Sequence, residues 1–201
     1  FKLPEEVHPT RWTGDTAVNF IETYNEPQPF FLKVSFARPH SPYDPPQRIW
    51  DMYDGVDLPK ANVGAWAGKY AALSDYAPDY WHGDLGAEQV RVSRRGYYGA
   101  VTFIDEQIGR ILASLEKRRM LENTLIIYIS DHGDMTGDHN LWRKSYAYEP
   151  SAKVPLLVRW PGGTLSEKRG ATIDNPVEIR DMLPTMLDAA GDTEQRAKVD
   201  G

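Results

Sequence analysis

Two short runs hold most of the side chains in this sequence that could do acid–base or metal chemistry. The first is Ser130 to Ser145, SDHGDMTGDHNLWRKS. Asp131 and His132 come straight off the end of the apolar run TLIIYI. A carboxylate and an imidazole side by side at the carboxyl end of a strand can both reach one metal ion. Gly133 permits the sharp exit that this placement needs. Lys144 lies 12 residues beyond His132, and a loop of that length can fold the ammonium back over the same point. A cation there would stabilise an anionic substrate or the charge developing on a leaving oxygen. Taken alone, Asp-His-Gly also fits a solvated loop with a capping aspartate. The strand before it and the lysine after it favour the chemical reading.

The second run is Arg38 to Pro46, RPHSPYDPP, with four prolines in nine residues. Prolines on either side fix the backbone around His40, and an imidazole held this way suits a general acid or an oxyanion contact. A loop histidine packed against Tyr43 or Trp50 is the plainer account of a single histidine. Asp138, His139, Trp142 and Arg143 either line a substrate pocket or scaffold the loop. His82 reads as structural and His8 as a surface residue.

These runs need elements to position them. Thr13 or Asp15 could cap a helix running to about Tyr24, with Val18, Phe20 and Ile21 on one face. Phe30 to Phe36, FFLKVSF, reads as a strand leading into the His40 loop. Gln47 to Tyr53 fits a short helix. Residues 55–88 are rich in Gly, Pro, Asp and aromatics and read as an irregular, functional segment. The clearest helix carries Tyr97, Val101, Ile104, Ile108, Ile111, Leu112 and Leu115 at steps of three and four. Thr124–Ser130 and Val154–Trp160 are apolar throughout, as expected for strands covered on both faces; Pro161-Gly162-Gly163 closes the second. Val177 to Ala190 reads as a helix that Pro184 either kinks or delays. The order points to an α/β fold, a sheet with helices on both faces, where chemistry gathers at the carboxyl ends of strands.

Composition narrows the function. The 201 residues are 41% hydrophobic and 26% charged, an ordinary globular balance. The longest uninterrupted apolar run, Leu125 to Ile129, has five residues, far from the roughly 20 that span a bilayer. The net charge of −6 offers no basic surplus for nucleic acid. No cysteine is present, which excludes disulfides, zinc–thiolate sites and a cysteine nucleophile. There is no Gly-x-Ser-x-Gly elbow and no Walker-type phosphate loop. The chain opens on Phe1 and closes on Val199-Asp200-Gly201, so it is expected to be an internal piece of a longer protein.

From about Asp15 to Gly201 the sequence resembles the sulfatases of the alkaline-phosphatase superfamily. The resemblance rests on ordered blocks: FFLKVSFARPHSPYDPP, RRGYYGAVTFIDEQIGRIL, TLIIYISDHGDMTGDHNLWRKS, YEPSAKVPLLVRWPG and VEIRDMLPTMLDAAG. Pro-His-x-Pro paired with Ser-Asp-His-Gly looks most like the branch with iduronate-2-sulfatase, choline sulfatases and many bacterial glycan sulfatases. The resemblance implies an alkaline-phosphatase-like mixed sheet flanked by helices on both faces, incomplete here. It also implies a sulfuric-ester hydrolase acting on a sulfated small molecule or glycan with one divalent metal, usually Ca2+, with Mn2+ or Mg2+ as the other choices. Asp131 and His132 match a pair of metal ligands, with His132 standing where many sulfatases have Asn. His40 matches the histidine that contacts sulfate and assists the leaving group, and Lys144 the lysine across the sulfate. The family's nucleophile is a formylglycine made within Cys/Ser-x-Pro-x-Arg, a motif this sequence lacks, as it lacks the early Asp-Asp metal pair. Residues 1–201 are therefore expected to be the central part of the catalytic domain. A phosphonate monoester or phosphodiester hydrolase of the same superfamily shares the Asp-His pair and the lysine. An inactive binding protein on a sulfatase scaffold is the other alternative.

Overall fold

Helix α1, Pro9–Thr23, starts earlier than its apolar face suggests. Pro9 supplies a first residue whose φ is already helical and whose missing N–H costs nothing there. His8, not Thr13 or Asp15, caps it: its Nδ1 accepts the Thr10 N–H at 3.1 Å. Nδ1 is therefore unprotonated, and Nε2–H donates to the Asp44 carbonyl at 3.2 Å. Far from the surface, His8 is 1% exposed, with its ring edge-on to Phe103 at 5.1 Å. Burial, the largest cause, lowers its pKa. The unfolded chain then binds the proton more readily, near pH 6.5. Stability from this residue is full above that pH and lost as pH falls through and below it. We expect a fall in unfolding free energy below about pH 6.5. His8→Asn, which keeps a capping acceptor but does not titrate, should flatten it; an unchanged pH profile in that variant would refute the assignment.

The computed structural model describes residues 4–73, 81–162 and 168–201. It divides into two units, Phe1–Leu121 with His132–Val154, and Glu122–Asp131 with Pro155–Gly201. In the first unit the long helix α3, Gly86–Lys117, packs against α1 and against α2, Gln47–Met52. Its buried stripe is Gly96, Gly99, Ala100, Phe103, Ile104, Gln107, Ser114 and Leu115. Small residues let chains approach closely. A Cβ on Gly96 would lie 2.5 Å from the Tyr43 carbonyl oxygen, and one on Gly99 2.8 Å from Pro45. The proline-rich loop thus lies directly on α3. Arg38 braces that loop through a two-pronged ion pair with Asp44, at 2.6 and 3.1 Å.

The expected strand Phe30–Phe36 forms no ladder among the described residues. It keeps a strand's alternation, with Phe31, Lys33 and Ser35 exposed and Leu32, Val34 and Phe36 half-buried. Extended backbone becomes a strand only when a neighbour takes its hydrogen bonds, and here Phe30 instead joins Phe20 and Tyr24 in an edge-on aromatic cluster. The irregular segment 55–88 contains a 3-10 turn at Ala65–Tyr70 and strand β1, Trp81–His82; residues 74–80 lie outside the described residues. Strand β1 pairs antiparallel with β3, Leu141–Trp142, Trp81 opposite Trp142. A short helix α4, Glu149–Ala152, ends this unit's second segment.

In the second unit β2, Ile126–Ile129, pairs antiparallel with β4, Leu156–Arg159, Ile126 opposite Arg159 and Ile129 opposite Leu156. Both strands fall where the apolar runs place them, but neither is covered on both faces: Leu157 is 62% and Val158 47% exposed. Two strands alone cannot bury both of their own faces. Gly163, the end of the closing turn, lies outside the described residues. Helix α5, Met182–Ala189, starts after a 3-10 turn with a Glu178–Asp181 capping box. Pro184 therefore sits in its first turn, where no intrahelical donor is lost; the helix is delayed and not kinked. Helix α6, Thr193–Arg196, follows. Among the described residues, mixed helix and strand with two small sheets make up an incomplete α/β fold. Among the described residues, no helix is long and apolar enough to cross a membrane.

Candidate active site

The first unit brings His40, His132 and Lys144 to one point, although 104 residues separate the first from the last. The Lys144 Nζ lies 3.1 Å from His132 Nε2 and 3.4 Å from His40 Nε2. The two rings stand 6.0 Å apart at 70°. Each Nδ1 faces a main-chain carbonyl, His40 that of Ser41 at 3.0 Å and His132 that of Gly133 at 2.8 Å. A carbonyl only accepts, so both Nδ1 atoms carry hydrogen. In the neutral rings both Nε2 lone pairs then accept from the ammonium between them. An ammonium flanked by two imidazoles is a compact donor group suited to an oxyanion.

Local backbone explains how the loop reaches this point. Gly133 N–H donates to Ser151 O at 2.8 Å, and a Cβ on Gly133 would lie 2.0 Å from the Pro150 carbonyl oxygen. The glycine is required by close approach of main chains. From Thr136 to Ser145 the left-handed region recurs at Thr136, Gly137, His139, Asn140, Arg143 and Ser145, with φ from 43° to 93°. Side chains tie this strained path down. Buried Arg94 of α3 pairs with Asp138 and donates to the Thr136 and Pro59 carbonyls at 3.1 and 2.9 Å. Asp138 also accepts the Asn62 N–H at 3.0 Å, so it scaffolds the loop.

One carboxylate sits at the centre of this path. Asp134 Oδ1 accepts the Thr136 and Arg143 N–H groups at 2.9 and 3.1 Å, and Oδ2 accepts the Tyr43 hydroxyl at 2.7 Å. Burial, and next the Asp134 charge, push Tyr43 far above the ordinary tyrosine range, so it stays a donor. Neither residue stands out in sequence beyond its place beside a motif histidine; their pairing across 91 positions carries no local signal.

His139, Trp142, Arg143 and His82 take other places in this unit. His139 packs against Trp66 at 4.6 Å and Tyr148 at 5.3 Å, and its Nδ1 accepts the Gly64 N–H at 3.1 Å. Trp142 is 2% exposed and donates Nε1–H to the Gly83 carbonyl at 3.0 Å, which places it in the interior. Arg143 is half-buried, and its main chain is held by Asp134 and by Met135, whose N–H donates to the Arg143 carbonyl. His82 Nδ1 lies 2.9 Å from the Ala72 carbonyl, a structural role. Asp131 is exposed and belongs to the second unit, where it ends the segment Glu122–Asp131. Among the described residues no three His, Cys, Asp or Glu side chains gather as a metal site. Each of the two residues carries a donor type that a divalent ion takes: Asp131 has carboxylate oxygens, and His132, with Nδ1–H committed to Gly133, has one Nε2 lone pair, which here accepts from Lys144. Two donors are a partial shell.

Three comparisons fit this arrangement. The sequence is 43% identical over 187 residues to an arylsulfatase of Clostridium perfringens, covering 92% of this chain and 39% of that protein. It is 36% identical over 173 residues to a choline-sulfatase of Rhizobium meliloti, covering 82% of this chain and 32% of the relative. The fold matches a phosphonate monoester hydrolase of Agrobacterium radiobacter with a TM-score of 0.80 at 25% identity, over 94% of this chain and 40% of that one. The chain thus spans well under half the length of these proteins. The sulfatase family model matches residues 7–192, and the chain belongs to the sulfatase family.

Proposed function

We propose that this chain carries the sulfate-binding and leaving-group side of a sulfuric-ester hydrolase. The observation behind this reading is the Lys144 ammonium held between His40 Nε2 and His132 Nε2. Hydrolysis of R–O–SO3⁻ requires an oxygen nucleophile at sulfur, cleavage of the S–O(R) bond and a proton for the departing oxygen. His40 would deliver that proton from Nε2. Its Nδ1–H bond to Ser41 O fixes the ring and leaves Nε2 as the nitrogen that would carry the transferred proton. Lys144 would hold the non-bridging sulfate oxygens, which gather charge in the transition state. His139 and Arg143 would contribute to substrate binding, with Trp142 supporting their loop from the interior.

The sulfatase family uses a metal ion and a formylglycine. Asp131 and His132 would hold a divalent metal, with calcium the first choice for a carboxylate-bearing site, and the ion would supply positive charge toward an anionic ester. This chain contains no Cys/Ser-x-Pro-x-Arg motif. The nucleophile and the other metal donors would come from residues of the full-length protein outside these 201, which form a central part of its catalytic domain.

A phosphonate monoester hydrolase is the second reading, favoured by the 0.80 TM-score to such an enzyme. Comparing kcat/KM of the full-length protein on 4-nitrophenyl sulfate and on 4-nitrophenyl phenylphosphonate decides. We expect the sulfate to be preferred by at least about tenfold, or 1.4 kcal/mol. A tenfold preference for the phosphonate would reject the sulfatase assignment.

A further inference from the structure

Asp134 lies two residues after His132, and Arg143, whose N–H it accepts, directly precedes Lys144. Its bonds to Thr136 and Arg143 therefore close the loop that separates His132 from Lys144. Its third bond, from Tyr43, reaches the loop of His40, three residues upstream of Tyr43. One carboxylate thus ties together, through Thr136, Arg143 and Tyr43, the two loops that carry the triangle. We infer that Asp134 is the positioning residue of this site, and that the Tyr43–Asp134 bond sets where His40 stands relative to Lys144 and His132. The inference rests on the sulfatase reading of the triangle.

Chemistry supports the choice of these two residues. An ionised carboxylate accepting three hydrogen bonds, one from a buried hydroxyl, is a stronger tie than a neutral contact. The left-handed backbone at Thr136 and Arg143 would relax if its anchor were lost. Tyr43 itself is held by ring packing on Tyr97 at 5.8 Å and by contact of its main chain with Gly96. Removing only its hydroxyl keeps that packing. It also leaves the two main-chain bonds of Asp134 in place, so the His132–Lys144 loop stays closed while the His40 loop loses its tether.

The test is a pair of substrates differing in leaving group. Phenyl sulfate expels a poor leaving oxygen that needs a proton; 4-nitrophenyl sulfate expels a good one that does not. In the full-length protein Tyr43→Phe should lower kcat on phenyl sulfate about 10- to 100-fold, since a displacement on the order of 1 Å costs about that much. The loss on 4-nitrophenyl sulfate should stay under about threefold, with KM within about twofold on both, because proton delivery alone is impaired. Asp134→Asn keeps Oδ1 for the two main-chain N–H groups but turns an NH2 donor toward the Tyr43 hydroxyl, so it should follow Tyr43→Phe, with a loss on phenyl sulfate and under about threefold on 4-nitrophenyl sulfate. Asp134→Ala, which opens the loop as well, should lose turnover on both esters. Equal losses on the two esters in Tyr43→Phe would overturn the inference, as would near-normal turnover in Asp134→Ala. Should Tyr43→Phe fail to fold, the contrast between Asp134→Asn and Asp134→Ala carries the test, and equal activity in those two would overturn it. If wild-type protein prefers phosphonate monoesters, the sulfatase reading falls. The same ratio taken with phenyl and 4-nitrophenyl phosphonates then decides the role of Asp134. Turnover of neither ester class would reject both.

Discussion

Replacing His40 by alanine in the full-length protein should lower kcat on phenyl sulfate by about 10²–10⁴-fold, the range that a positioned general acid contributes. The effect should shrink steeply on 4-nitrophenyl sulfate, whose departing phenolate is stable without a proton. This dependence follows from where the imidazole is held. Its Nδ1–H bond to Ser41 O leaves Nε2 as the one ring atom that can serve the leaving oxygen. Lys144 Nζ, 3.4 Å from Nε2, lies where a sulfate oxygen would also be held. The side chain is exposed, and the loop is braced independently by Arg38–Asp44 and by Tyr43–Asp134. The variant should therefore keep the wild-type circular dichroism spectrum. A near-normal rate on phenyl sulfate would remove His40 from the mechanism, and equal losses on the two esters would assign it to binding.

The same residues show what a sequence makes legible. Asp131, His132, Lys144 and His40 are visible because motif spacing puts them at ends of apolar runs. The convergence of His40, His132 and Lys144 is not visible, because it depends on Asp134 and on left-handed backbone at five non-glycine positions, which local propensity disfavours. Helix α3 shows the same limit. Its apolar periodicity is clear from Tyr97 onward, but its first turns, GAEQVRVSRR, are polar and exposed or half-buried except for Arg94 and Arg95, which are buried and find carbonyl partners at Pro59 and Trp50, distant in sequence. His8 reads as a surface residue because a histidine's burial depends on acceptors and donors 2 and 36 residues away. The segment 30–36 carries a strand's alternation correctly, yet pairing belongs to the neighbour as much as to the segment.

Lys144→Ala should cost about 10²–10³-fold in kcat/KM, as removal of one preorganised donor to a developing oxyanion does, and the loss should be the same on phenyl and 4-nitrophenyl sulfate. Charge on the non-bridging oxygens develops whatever group departs, so the ammonium acts equally on both esters, in contrast to His40. Lys144→Arg should restore little. The present site is a compact charge seated 3.1 and 3.4 Å from two ring nitrogens, and a planar guanidinium fork is too broad to replace that point. Part of the loss is ground-state binding, and inhibition by inorganic sulfate measures it. If Lys144 serves the transition state, kcat/KM should fall further than the sulfate inhibition constant rises. Equal changes in the two would make Lys144 a uniform binding residue. A loss confined to phenyl sulfate would show instead that the lysine works through His40, by holding its Nε2 in place.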